Sequence, residues 1–363
     1  MIFNANLGRF ISIVQVLMLQ LVPICMLAQP KSSLGEPFVA IPAPNIDKYT
    51  HLAWPKMVKI NDSSLIVALC AGELHGPPSS PAVAISTDKG KTFSNMTVLK
   101  EFTSSSFYTS CGNVALGKDN EGKASLLAMA YKDDFRNHVY GWKWDGKDWH
   151  KSNTANIGNN RTGSVFGYVF PTPLGNGVVG HYRSDSSGTK RGLWIAFEKD
   201  GLWGTPHRIT DKFLLEPVVI YHEGEYIGLA RDGSSTKLYW DLKSRDGVEW
   251  VVEPSNIRVE KGALPSPFIV ADPNNPNRLL ALATTRKKDE NKKGGIFLWE
   301  KERDESDWKE TKCLVEFGLA DPENNDFGYP WMVHLNDDHW YMVFYYGRGR
   351  GNNSIWALDF KID

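Results

Sequence analysis

The apolar positions of this chain fall in short runs that recur in pairs. Each pair consists of an apolar run, a turn rich in Asn, Asp or Gly, and a second apolar run, which predicts a β-hairpin. Four of the pairs begin at a proline, which costs no ladder hydrogen bond at the first position of a strand. In chain order the six predicted hairpins begin at Pro55, Asn113, Tyr168, Pro217, Pro267 and Pro330.

Further strands that end on an aromatic residue follow these hairpins. The closing aromatics are Phe93, Trp149, Trp203, Trp250 and Trp308. Subtracting their positions gives spacings of 56, 54, 47 and 58 residues, about the length that one four-stranded sheet needs. The pattern predicts an all-β chain, a six-bladed β-propeller of four-stranded antiparallel blades.

The last unit of this repeat is short. From Phe327 to Phe360 there is room for only three strands. The segment Phe38-Val-Ala-Ile is expected to supply the fourth, so that an N-terminal strand closes the ring and leaves no exposed sheet edge.

Two of the predicted closing hairpins carry a sharper motif. Ser86-Thr-Asp88-Lys-Gly90-Lys-Thr92-Phe93 matches the Asp-box, S-x-D-x-G-x-T-[WF], and the segment from Ser244 to Trp250 is a shortened form. The aspartate is expected to bond turn amides, and the glycine to take a positive φ. With these motifs the chain resembles the sialidase superfamily of BNR-repeat proteins. The motif itself implies the fold and no catalytic role.

The first thirty residues differ from the rest. Arg9 precedes an apolar run from Phe10 to Leu27, and polar sequence follows. This is typical of a secretory signal peptide, which we assign to residues 1–28, with a retained membrane anchor as the alternative. Residues 29–363 are then one sialidase-like domain, secreted or periplasmic, and no later segment is apolar enough to span a bilayer.

The charge of the chain and its cysteines limit the classes of partner and the disulfide bonds to be expected. The formal charge is −1, so no global field favours nucleic acid or an anionic membrane. Three cysteines follow residue 28, and Cys70 and Cys111 either pair or remain buried thiols. Neither a zinc motif nor a cofactor motif is present.

Polar residues near the ends of the predicted inner strands are the candidates for a site, because such strands converge on one mouth of a propeller. After the second strands come Glu73, His75, His181, Arg183, Arg231, Arg286 and Arg348. At the entries to first strands stand His51, Glu216 and Tyr329.

The resemblance implies roles for some of these residues. The segment from Glu216 to Arg231 is similar to the sialidase segment that carries a catalytic Glu and an arginine of the carboxylate-binding triad. By that resemblance Glu216 polarises a tyrosine, Arg231 binds a substrate carboxylate, and Tyr329 is the nucleophile. Arg286 is the candidate second arginine, with Arg183 or Arg348 as the third.

One position departs from the sialidase pattern. Sialidases open the first inner strand with an arginine two residues before a proline, and here Ala53 stands there. The family's first-unit Asp is not evident, and Glu73 and His75 occupy its region as candidate proton donors, with His51 and His181 as binding candidates. We therefore predict a glycoside hydrolase acting on a sialic-acid- or uronate-containing glycan. The alternatives are a uronate-specific polysaccharide lyase and a non-catalytic carbohydrate-binding propeller.

Overall fold

A computed structural model of the protein describes residues 29–44, 48–133, 136–154, 157, 163–182, 191–234, 238–258, 265–286, 294–317, 327–347 and 352–362. The proposed signal segment lies outside these ranges. The described chain is all β and contains no helix. It accordingly offers no helix with the length and apolarity that a bilayer crossing requires.

Antiparallel pairings gather the first half of the described strands into three groups. Group one contains β2 (His51–Lys59), β3 (Leu65–Gly72), β4 (Ser79–Ser86) and β5 (Thr97–Val98). Group two contains β6 (Ser110–Lys118), β7 (Ala124–Asp133), β8 (Arg136–Trp144) and β9 (Trp149–Ser152). Group three contains β10 (Gly163–Thr172), β11 (Gly175–Tyr182), β12 (Gly192–Lys199), β13 (Leu202–Trp203) and β14 (His207–Thr210).

The second half forms three more groups in the same way. Group four contains β15 (Leu214–His222), β16 (Glu225–Asp232), β17 (Leu238–Ser244) and β18 (Val251–Arg258). Group five contains β19 (Phe268–Asp272), β20 (Asn275–Thr285), β21 (Gly295–Glu302) and β22 (Lys309–Glu316). Group six contains β23 (Gly328–Asn336), β24 (His339–Gly347) and β25 (Asn353–Lys361).

The N-terminal strand β1 (Phe38–Ile41) completes group six. It pairs antiparallel with β25, with Phe38 opposite Ala357, so the predicted pairing of this segment with the last unit is confirmed. The first strands of successive groups contact one another in the order β2, β6, β10, β15, β19 and β23, and β23 contacts β2.

The Asp-box turn shows why its residues are required. Asp88 accepts hydrogen bonds from the Thr92 amide (2.9 Å) and the Thr92 hydroxyl (2.6 Å), and Ser86 Oγ accepts one from the Gly90 amide (2.8 Å). These bonds, led by that from the Thr92 hydroxyl, lower the pKa of Asp88 to about 2. Gly90 has a φ of 87°, and its carbonyl accepts a 2.8 Å bond from Tyr341 of group six. The turn therefore fastens group one to group six.

Side chains from several first strands meet around a buried lysine. Lys56 of β2 places its ammonium 4.3 Å from the Phe166 ring centroid and 4.9 Å from that of Trp331. Tyr168 and Phe268 pack against Trp331, with ring centroids 4.5 and 4.9 Å away. Burial lowers the pKa of Lys56 to about 7, against the opposing influence of Glu216 and Cys70.

Replacing Lys56 tests this packing. Because its folded-state pKa lies below the ordinary 10.5, the unfolded chain holds the proton more tightly between about pH 7 and 10.5. Wild-type stability should therefore rise with pH across that window. We expect Lys56→Met to increase the free energy of unfolding by roughly 3 kcal/mol more at pH 6 than at pH 9. Urea titrations at the two pH values measure this, with exposed Lys199→Met as the control. Equal effects at both pH values would contradict the assignment.

Candidate functional site

Backbone bulges bring three large side chains to one place. The pairing register shifts between Ala53 and Lys56 in β2, and the first strands β15 and β23 shift at the corresponding point. At these shifts Trp54, Glu216 and Tyr329 have φ values of 55°, 52° and 50°, and a proline follows each of them. Left-handed backbone costs a non-glycine residue about 1–3 kcal/mol. Because of the bulge, each of these side chains departs from the regular alternation between the two faces of the sheet.

All three residues line a cavity of about 400 Å³. His181 and Arg231 complete one wall with Glu216 and Tyr329, and His75 and Trp54 form an edge from group one. The uncharged lining residues come from groups two and three and comprise Asn113, Met129, Tyr131, Asn137 and Ser164, of which Ser164 pairs with His181.

Tyr329, Glu216 and Arg231 form a tight cluster in this cavity. The Tyr329 hydroxyl lies 3.2 Å from Oε1 and 3.1 Å from Oε2 of Glu216. Arg231 approaches the same carboxylate with a two-pronged contact, in which Nη2 is 2.9 Å from Oε1 and Nε is 2.9 Å from Oε2. The side chains of Arg231 and Glu216 are only 19 % and 9 % exposed, so the pair is largely shielded from water.

The cluster controls the protonation of Tyr329. Burial raises the pKa of its phenol, and the negative charge of Glu216 raises it further, against the opposing influence of Arg231 and Arg286. Burial alone would lower the pKa of Arg231, but Glu216, with further contributions from Tyr329 and Tyr239, outweighs it and the pKa is raised. At neutral pH the site thus holds a neutral phenol that donates to a carboxylate, with a cation fixed on the other side of that carboxylate.

Arg286 lies beside Tyr329. Its Nε donates to the Phe327 carbonyl at 2.8 Å, its Nη2 donates to the Tyr345 hydroxyl at 3.0 Å, and its guanidinium is 5.5 Å from the Tyr329 ring centroid. The residues that line the described cavity do not include it. Its described contacts therefore brace Tyr329 and the backbone just before it.

The predicted histidines occupy different places. His181 Nδ1 accepts a 3.1 Å hydrogen bond from the Glu216 amide, which leaves the ring proton on Nε2 when the ring is neutral. His75 lines the cavity, and its ring lies 5.0 Å from that of Trp54. His51 is buried behind His75, at a ring distance of 5.8 Å, and is not part of the described lining.

The other sequence candidates contribute less to the described cavity. Glu73 is exposed, its carbonyl accepts a bond from Thr50, and it is not among the lining residues. Arg183 and Arg348 lie outside the described residues. Among the residues that the structure describes, no three His, Cys, Asp or Glu side chains converge as metal ligands would.

The sequence analysis did not single out Trp54, Asn113, Asn137 or Ser164 as site candidates. Asn113, Asn137 and Ser164 are each about 95 % buried, so hydrophobic patterning alone gives no reason to single them out. Trp54 carries a detectable signal, because it occupies the position before proline that Glu216 and Tyr329 occupy in their own strands. Comparing that single position across the repeats would have identified it.

No family profile matches this chain, and no curated protein is similar to it at a significant level. Solved structures do match. A protein of unknown function from Dyadobacter fermentans aligns with a TM-score of 0.68 at 15 % identity, over 92 % of this chain and 99 % of that one. The NanB sialidase of Streptococcus pneumoniae aligns with a TM-score of 0.63 at 10 % identity, over 90 % of this chain and 70 % of that one.

A sialidase of Trypanosoma rangeli aligns with a TM-score of 0.63 at 14 % identity, over 91 % of this chain. This chain spans 59 % of the length of that protein. The protein therefore has a sialidase-like all-β fold. At these identities the likeness concerns the fold alone.

The Glu216–Arg231 pair yields a stability prediction. Arg231→Met leaves a buried carboxylate without its cation, which should cost about 3–5 kcal/mol. Adding Glu216→Gln removes that charge, so the double variant should recover more than half of the loss. A double-mutant cycle of urea unfolding measures the coupling. Additive effects of the two substitutions would contradict the pairing.

Proposed function

We propose that this protein is a glycoside hydrolase in which Tyr329 is the nucleophile and Glu216 is its base. The observation that carries this proposal is the phenol of Tyr329 within 3.2 Å of both Glu216 oxygens, in a cavity open to solvent. Sialidases are the glycosidases that use tyrosine in this way. The sialidase-like fold supports the proposal without establishing the activity.

The proposal includes the architecture and the location of the protein. We take the six strand groups as the six blades of a propeller, with β1 closing the ring through β25. The cyclic order of contacts among the first strands supports this arrangement. We further propose that residues 1–28 direct export and that residues 29–363 act as one secreted or periplasmic domain.

The reaction follows from the cluster. Tyr329 Oη attacks the anomeric carbon while Glu216 takes its proton, and the bond to the leaving oxygen breaks. Arg231 holds the carboxylate through two contacts and so fixes the direction from which it accepts the proton. In the second step water attacks the same carbon and gives a proton to the group that protonated the leaving oxygen, the phenolate leaves, and Glu216 returns its proton to the phenolate.

A proton donor is needed for the leaving oxygen. His75 lines the cavity on the edge contributed by group one, and Glu73 does not line it. Of the two candidates from the first unit, His75 is therefore our choice for the general acid.

The substrate we propose is a glycan with a sialic acid or a uronate at the cleaved residue. Arg231 supplies a cation at the cavity wall for the carboxylate of either sugar, and the neutral Tyr329 does not repel the carboxylate that a sialic acid carries on its reacting carbon. Arg286, Arg183 and Arg348 remain proposed contributors to carboxylate binding. Ala53, where sialidases carry an arginine, makes a uronate the better candidate.

The test is turnover of a defined panel, namely the two sialyllactose isomers, trigalacturonate and a trimer of alginate. Reducing ends and ultraviolet absorbance are read together. Wild-type protein should release reducing ends from at least one member without an absorbing product. Tyr329→Phe should lower the rate by at least about 10³-fold, because it removes the attacking atom.

Tyr341→Phe is the matched control, since it removes a buried hydroxyl that contacts Gly90 and not the cavity. It should leave turnover within about threefold of wild type. An absorbing unsaturated product would instead identify a lyase. Binding to the panel without turnover would identify a non-catalytic propeller.

A further inference from the structure

Trp54 shares its backbone setting with the two proposed reactive residues. Glu216, Tyr329 and Trp54 each stand at a register shift in a first strand, each has a φ near 50°, and each side chain lines the cavity. The first strand β10 also shifts at the corresponding point, and Gly167 stands there with a φ of 78°. A glycine meets the same backbone demand at little cost. A tryptophan at this position therefore needs an explanation beyond folding.

The surroundings of Trp54 place it against the reacting centre. Its ring centroid is 5.0 Å from that of His75 in an edge contact and 6.4 Å from that of Tyr329 in a tilted one. Neither contact is a parallel stack. Trp54 is half-buried, whereas Trp331 on the corresponding stretch of β23 is 1 % exposed and belongs to the core.

The lining of the cavity combines two kinds of group. Beside the charged and reactive Glu216, Arg231 and Tyr329 it includes the uncharged amides Asn113 and Asn137 and the Ser164 hydroxyl. Amides and hydroxyls suit the equatorial hydroxyls of a sugar, and an indole suits the apolar C–H face of a sugar ring.

We propose that Trp54 binds the substrate, stacking on the apolar face of the pyranose ring that Tyr329 attacks. The inference rests on the proposed function and specifies its substrate as a pyranose that presents a C–H face next to the anomeric carbon. The left-handed backbone at Trp54 is then retained because it aims the indole at that ring.

Two truncations separate binding from packing. Trp54→Ala and Trp54→Gly both remove the indole, but only the alanine keeps a side chain on the left-handed backbone. Both should raise KM at least tenfold on the preferred member of the panel, with kcat within about threefold. The glycine variant should nevertheless have the higher midpoint of thermal unfolding. Trp54→Phe should keep KM within about fivefold, because it keeps an aromatic face.

Binding to Tyr329→Phe protein gives a measurement that does not require turnover. Calorimetry with the same oligosaccharide should show at least tenfold weaker binding when Trp54→Ala is added. Trp144→Ala, at the far end of β8 from Asn137, should leave binding unchanged.

Unchanged binding and KM in both truncations would overturn the Trp54 assignment and leave the proposed function standing. Full activity of Tyr329→Phe would overturn the proposed nucleophile, while the KM comparison would still decide the role of Trp54. A glycine variant no more stable than the alanine variant would contradict the claim that the backbone is strained for binding.

Discussion

A left-handed residue before a proline determines where the site of this protein lies. At such a residue the strand bulges, the alternation of side chains is interrupted, and the side chain leaves the sheet for the cavity. The fold accepts this conformation at Trp54, Glu216 and Tyr329 despite its cost. The neighbouring strands hold these bulges through regular pairing on both sides of each shift. Other non-glycine residues with a positive φ lie in turns and bends, whereas the three that lie within the described strands all line this one cavity.

The charges of the cavity depend on that geometry. Glu216 is nearly buried, so its carboxylate needs partners, and it has them in the Arg231 fork, the Tyr329 hydroxyl and a Coulombic contribution from Lys56. Burial raises the pKa of the Tyr329 phenol, and the same carboxylate raises it further, so the proton stays on the phenol. The contacts of Glu216 therefore have two effects. They stabilise its buried pair with Arg231, and they help to keep Tyr329 neutral, which is the state in which the proposed reaction begins.

The pattern of strands could be predicted from sequence because each of its signals is local. Alternating apolar runs, turn residues and the Asp-box at Ser86–Phe93 depend on short-range physics, and the described strands follow them. The pairing of Phe38–Ile41 with β25 could be predicted from length, because the last unit has too few residues for four strands and needs one from elsewhere in the chain. The family resemblance singled out Glu216, Arg231 and Tyr329, whose side chains contact one another in the structure, and their roles stay predictions.

Other parts of the site could not be found in that way. Whether Glu73 or His75 faces the cavity depends on the path of the β3–β4 connection, which composition does not report. Nothing in the sequence distinguishes Asn113, Asn137 and Ser164 from ordinary strand residues. They come together only because neighbouring strand groups place them in the lining of one cavity. Arg286 stands just after its strand, where a binding residue is expected. Its hydrogen bonds to the Phe327 carbonyl and the Tyr345 hydroxyl hold its guanidinium beside Tyr329.

The most direct measurement is to locate the sugar on the protein during turnover. Wild-type protein is acid-quenched while it turns over the preferred oligosaccharide, digested, and mapped by mass spectrometry. The account predicts one glycosyl adduct, on the peptide that contains Tyr329 and at its phenolic oxygen, and none in Tyr329→Phe protein. An adduct on Glu216, or a first-formed product of inverted anomeric configuration, would contradict it.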